Sequence, residues 1–210
     1  SVVDTMYMVD RGFIPRPKLD TIEVKANGDV YFRVDRANAG TAGSYRIYAN
    51  SVAPANLLTS FEAKDQDSVL IPGQGADAAI KSYVIQAIDE CNPSVVEKSY
   101  VYQTILPDGD KISDCPPIYR LTWDIPTGFA TPLKGFRVLV DSSGVGDKFR
   151  QIASLGASAT STDIPVIKDK DYLFKVIAFD NEGAVNISAT ISYKVPEDLR
   201  SNEIPQPPEL

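Results

Sequence analysis

The stretch Leu106-Pro107-Asp108-Gly109-Asp110-Lys111-Ile112-Ser113-Asp114 sets three carboxylates, those of Asp108, Asp110 and Asp114, within seven residues. Closely spaced carboxylate oxygens are what calcium takes as ligands. The intervals match no complete calcium loop, and a plain Asp-Gly turn accounts for the same residues, so calcium binding stays open. The acidic pairs in Asp65-Gln66-Asp67 and Asp169-Lys170-Asp171 fall among turn-forming residues and read as solvated turns. Two cysteines, Cys91 and Cys115, stand 24 residues apart. In an extracellular setting an even count permits one disulfide, and a Cys91–Cys115 bridge and two separate thiols are the two alternatives. Asn186-Ile187-Ser188 fits a glycosylation sequon by pattern alone.

Other chemistries lack their residues. The chain has no histidine, so no Ser-His-Asp or Cys-His pair can form and the usual neutral-pH general base is missing. Two cysteines do not make a four-cysteine zinc site. Paired carboxylates for hydrolysis need a shared cleft, and no segment points to one. The expectation is a protein that is not an enzyme, with no catalytic, cofactor-binding or metal-binding residue to name and no cofactor. A formal charge of −7 argues against a nucleic-acid surface, which needs clustered Lys and Arg. No apolar run approaches the roughly 18–20 residues of a membrane helix. The first residues, Ser1-Val2-Val3-Asp4, lack the basic start and apolar core of a signal peptide.

The elements that position these residues follow from an internal repeat. Sliding the chain by 91 positions lines up Val30-Tyr31-Phe32-Arg33-Val34 with Leu121-Thr122-Trp123-Asp124-Ile125, and Tyr45-Arg46-Ile47-Tyr48 with Phe136-Arg137-Val138-Leu139. It also places Leu58 and Phe61 on Phe149 and Ile152, Tyr83 and Asp89 on Phe174 and Asp180, and Tyr102 on Tyr193. Ile71-Pro72 and Ile164-Pro165 match with a slip of two. Each copy holds six or seven short runs of Val, Ile, Tyr, Phe and Thr between Gly, Pro, Asn and Asp clusters, the pattern of an all-β sandwich. Period-two alternation puts Val30, Phe32 and Val34 on one face of a strand, and Leu121, Trp123 and Ile125 on the equivalent face. Most of the ten tyrosines and eight phenylalanines fall at inward positions, which favours core packing over a sugar-binding platform.

In the second copy, Leu121-Thr122-Trp123, then Gly135-Phe136-Arg137-Val138, then Tyr172 through Asp180 resemble a fibronectin type III domain. The resemblance implies all-β, immunoglobulin-like sandwiches of seven strands each, two in succession. It implies that Trp123 is the core tryptophan of the second strand and that Tyr172 forms the tyrosine corner, its hydroxyl bonded back to the backbone. The first copy has Phe32 and Lys81 at these places, so its corner must be held another way. Asp20-Thr21-Ile22-Glu23-Val24 and Ala87-Ile88-Asp89-Glu90-Cys91-Asn92 are similar to the fibronectin-like pairs in large secreted proteins of gliding (Bacteroidetes-type) bacteria.

Residues 1–9 line up with 94–102 at an offset of 93, which marks residues 1–14 as an orphan strand of a preceding repeat or an N-terminal extension. The expected layout continues with domain 1 over 15–106, domain 2 over 107–196 and a proline-rich linker or tail over 197–210. The expected function is a structural spacer and adhesion or interaction module, a segment of a larger secreted or cell-surface protein. Its expected partners are neighbouring domains or surface proteins. The alternatives are a virion or pilus component working by strand addition and a carbohydrate-binding accessory with a glycan ligand.

Overall fold

The computed structural model describes residues 14–167 and 170–194. Residues 1–13, Asp169 and the proline-rich segment from 197 onward lie outside the described residues. The first half forms β1 (Leu19–Val24), β2 (Val30–Val34), β3 (Ala42–Ala49), β4 (Leu57–Glu62), β5 (Ser68–Ile71), β6 (Ser82–Asp89), β7 (Val96–Lys98) and β8 (Tyr102–Gln103). The second half forms β9 (Asp108–Asp114), β10 (Pro117–Thr122), β11 (Leu133–Asp141), β12 (Arg150–Gly156), β13 (Ser161–Pro165), β14 (Asp171–Asp180), β15 (Val185–Ile187) and β16 (Ile191–Lys194). Two short 3-10 turns, Arg36–Asn38 and Pro54–Asn56, are the helical elements among the described residues.

Each half is a sandwich with three strands on one side and four on the other. In the first, β1, β2 and β5 pair in sequence and face β4, β3 and β6, with β7 and β8 both along β6. In the second, β9, β10 and β13 face β12, β11 and β14, with β15 and β16 both along β14. The paired short strands are two pieces of one last strand, so each sandwich has seven. This is the all-β sandwich that the strand pattern predicts, in the immunoglobulin-like form that the resemblance to fibronectin type III domains implies. Two clusters fill the layers. One centres on Phe32, Ile47, Tyr83 and Ile85, the other on Trp123, Phe136, Phe174 and Val176.

The same local devices recur in both halves. The last strand breaks at Ser99 and at Ser188, and each serine replaces the lost ladder bond with its side chain. Ile85 N–H donates to Ser99 Oγ at 2.9 Å and Val176 N–H to Ser188 Oγ at 2.9 Å. Each hydroxyl then donates to the next carbonyl, that of Tyr100 or Ala189. At the turn before that strand, Asp89 accepts from the amides of Cys91 and Asn92 and from Thr41 Oγ1. Asp180 accepts from the amides of Glu182, Gly183 and Ala184 and from Thr131 Oγ1. A carboxylate that satisfies several amides at a strand end fixes a turn that glycine or asparagine alone would leave loose.

The ladders correct the constant offset at three places. Tyr45 lies opposite Phe61 and Phe136 opposite Leu155, so Phe61 corresponds to Leu155, not to Ile152, and Leu58 to Ile152, not to Phe149. Val30 lies opposite Ile71 and Leu121 opposite Thr162, so Ile71 corresponds to Thr162, and the second Ile-Pro pair sits further along an extended β13. Ile88 lies opposite Val96 and Phe179 opposite Val185, which removes the match of Tyr102 with Tyr193. Loops cause the shifts, since they change length at little energetic cost while strand register is held by the buried face.

The longer loop is the one after β11, and Asp141 holds it. Its carboxylate accepts from Ser143 N–H and Oγ, Gly146 N–H and Lys148 N–H. The Ser143 hydroxyl and these amides hold the carboxyl well below its ordinary value, against the opposing effect of burial. A depressed folded pKa adds stability above the unfolded value of 3.8, and that part is lost as pH falls toward the folded value. The urea midpoint of the wild type is therefore expected to drop below about pH 4. Asp141→Ala lowers the midpoint at pH 7 and flattens this acid limb. Identical acid limbs in both proteins would show that Asp141 carries no such linkage.

Candidate interaction surfaces

The second sandwich shows the predicted tyrosine corner, with Ile167 N–H donating to Tyr172 Oη at 2.7 Å. The first sandwich, with Lys81 there, borrows its corner from the junction. Lys81 N–H donates to Thr104 Oγ1 at 2.9 Å and Thr104 N–H to Lys81 C=O at 2.9 Å. Next to Thr104, Ile105 is buried in the second core, while Ala189 is buried in the first.

This exchange belongs to a broad junction between the sandwiches. β1 pairs with β15 in parallel, Thr21 opposite Val185, Ile22 opposite Asn186 and Glu23 opposite Ile187. Sheets from both halves thereby merge into one of eight strands, ordered β12-β11-β14-β15-β1-β2-β5 with β16 also on β14. Lys18 and Glu182 form an ion pair at 3.1 Å across the seam, Lys175 approaches Glu23 at 3.8 Å, and Thr127 Oγ1 donates to Val101 C=O at 3.0 Å. Asn186 is buried and its Nδ2 donates to Gln103 C=O at 2.6 Å. That burial makes the Asn186-Ile187-Ser188 sequon a piece of the seam. Asn186 Oδ1 has no partner, so the amide retains a desolvation cost. Asn186→Ala is expected to cost only about 1 kcal/mol, read as a small lowering of a single melting transition. A loss several times larger would show that this one bond holds the seam.

The merged sheet presents one outer face across both sandwiches. The ladders set Arg137, Ile177, Ile187, Glu23, Tyr31 and Leu70 in one row across it. Leu70 is 50% exposed, and Ile177, Ile187 and Tyr31 are half-buried. Aromatic rings of this region do not offer bare faces. Arg137 lies over Phe179 at 4.4 Å, Lys175 over Phe149 at 5.1 Å and Lys25 over Tyr31 at 5.3 Å. Cations on these ring faces leave them unsuited to sugar stacking.

A second surface is a groove of about 350 Å³ on the open side of the second sandwich, between β12 and β13. Val140, Ile152, Ile164 and Tyr172 form its apolar floor, with Arg150 and Lys170 at its rim.

Asp108, Asp110 and Asp114 lie on β9, not in an Asp-Gly turn, and are exposed along it. Lys111 pairs with Asp114 at 2.8 Å. Among the described residues no three His, Cys, Asp or Glu side chains gather as a metal ion requires. Asp67 sits near Arg33 and Arg36, while Asp171 begins β14. Cys91 and Cys115 are both exposed free thiols, the second of the two alternatives. Sequence reasoning missed the seam. Its one local signal was an asparagine at the inward position of Val185-Asn186-Ile187, where alternation calls for an apolar residue.

The three-on-four strand order in each half defines a fibronectin type III-like sandwich protein. No family model matches the sequence, and no curated protein does. Among solved structures, the pectate lyase PelI of Erwinia chrysanthemi in complex with tetragalacturonic acid is 17% identical, with a TM-score of 0.37 over 42% of this chain and 28% of that one. The chain thus spans less than a third of the lyase's length. A fibronectin type III domain of human KIAA0970 is 23% identical over 50% of this chain and 79% of that chain, with a TM-score of 0.35. The FN1–FN3 domains of chicken CNTN1 are 12% identical over 85% and 65%, with a TM-score of 0.34. No helix among the described residues is long and apolar enough to cross a membrane.

Proposed function

We propose that this chain is a non-enzymatic spacer and interaction module of a larger secreted or cell-surface protein. Its partners are neighbouring domains of that protein or other surface proteins. The observation that carries the reading is the eight-stranded sheet shared by the two sandwiches. A shared sheet with buried residues exchanged across it fixes the angle between two domains, as a flexible linker does not. The relation to surface proteins of gliding bacteria is part of this reading and rests on the sequence resemblance around Asp20–Val24 and Ala87–Asn92. Small-angle scattering tests the reading: one fixed particle dimension, unchanged from low to high salt, is expected. A profile of two beads on a mobile tether, or catalytic turnover of a glycan or peptide, overturns it.

A further inference from the structure

We infer that the open side of the second sandwich accepts an extended acidic segment of a partner protein as an added strand along β13. The inference rests on the reading of the chain as an interaction module and names the kind of partner. Three strands facing four leave the inward side chains of β12 without a strand opposite them, and the groove is the space left over. In the first sandwich the equivalent space is closed from within. Tyr45 and Phe61 set their rings 5.5 Å apart there, and Ala63 packs on the core in the run from Phe61 to Ile71, which is three residues longer than the matching run from Leu155 to Thr162.

The backbone of β13 is phased to receive a strand. Trp123 N–H donates to Thr160 C=O, and Val166 N–H donates to Pro117 C=O. Even-numbered residues therefore turn their polar groups toward β10, and Ser161 and Asp163 turn theirs outward. These outward groups are an unfilled ladder edge beside an apolar floor, the combination that strand addition uses. Charge selects the partner. Asp163 is already neutralised by a two-bond pair with Arg120 at 2.6 and 2.8 Å. Among the described residues Arg150 and Lys170 stand exposed at the rim without an ion pair. An incoming strand with apolar residues facing the floor and carboxylates beside this rim completes both.

The probe is a labelled nine-residue peptide alternating valine and threonine between terminal glutamates, added to the full chain and followed by fluorescence anisotropy. Saturable binding is expected, with new hydrogen-exchange protection at the Ser161 and Asp163 amides. Arg150→Glu weakens it about tenfold. Ala153→Trp, which fills the groove, abolishes it. No binding, equal binding of a peptide whose central valine is proline, or binding that survives Ala153→Trp overturns the inference. So does a mass that doubles with concentration and returns to monomer in Ala153→Trp, because the occupant is then a second copy. If Ala153→Trp does not fold, the exchange protection in the wild type decides. Failure here with an unchanged scattering profile removes strand addition and leaves the spacer reading standing.

Discussion

Phe32→Ala is expected to destabilise the chain by about 3–5 kcal/mol, the range for large aromatic truncations in a closed core. Phe32 is fully buried and meets Tyr83 edge-on at 4.9 Å, so alanine leaves a void that the β2 and β6 backbones cannot close. Trp123 is its counterpart, buried and 5.4 Å from Phe136, yet the two differ in one respect. The Trp123 indole N–H is buried without an acceptor, so this side chain already carries a polar desolvation cost. Trp123→Ala therefore falls toward the lower end of the range, and Trp123→Phe costs much less than the lost ring volume implies. Chemical denaturation of the three variants checks this. A Trp123→Phe protein as unstable as Trp123→Ala would show that the indole N–H has a partner.

Gly128→Val is expected to open the seam while leaving both cores folded. Gly128 has φ of +102°, and a Cβ there would stand 2.6 Å from Tyr102 Cα and 2.7 Å from Val101 C=O. A β-branched residue is strained at that φ by about 1–3 kcal/mol, and the obstacle is main chain, which cannot turn aside as a flexible side chain does. The loop must lift off the segment 101–103, and Gln103 N–H loses its bond to Thr127 C=O. The expected outcome is one calorimetric transition in the wild type and two in Gly128→Val, the lower belonging to the first sandwich. That assignment follows from Thr104, which holds the corner at Lys81 only while the junction is in place. A single transition at the wild-type temperature would show that the seam contributes nothing to stability.

The interior of each sandwich was legible because alternation marks buried faces. Val30, Phe32, Val34, Leu121 and Trp123 lie where period two sets them, but Ile125 does not: β10 ends at Thr122, the alternation lapses with it, and Ile125 is 45% exposed. The tyrosine corner was legible through resemblance alone. The registers of β12, β13 and the last strand were not, since they depend on loop lengths that offset one another. Measured between matched ladder positions, the run from Phe136 to Leu155 is three residues longer than that from Tyr45 to Phe61, and the next, Leu155 to Thr162, is three shorter than Phe61 to Ile71, so a constant shift passes over both. The seam was illegible for another reason. β1 and β15 lie more than 160 residues apart in the chain, and parallel pairing of three residues leaves no pattern in either strand. Thr104 likewise reads as an ordinary linker residue until Lys81 is placed beside it. The groove followed from the same loop shortening, which withdraws cover from β12.

The direction of the β1–β15 ladder has a mechanical meaning. Chain enters β1 at Leu19 and leaves the sheet beyond β16, which continues the line of β15 along β14, and β1 and β15 point the same way. Tension between the two ends therefore pulls β1 backward and β15 forward along their common axis. Every rung of the ladder is loaded at once, together with the Lys18–Glu182 pair and the Asn186 bond, instead of one rung after another as in an unzipping hairpin. A module placed in series in a stretched surface protein would yield first at this seam, as a single event. It would lengthen by the overlap of its two sandwiches before either sandwich unfolds, and the seam could close again once the load is gone.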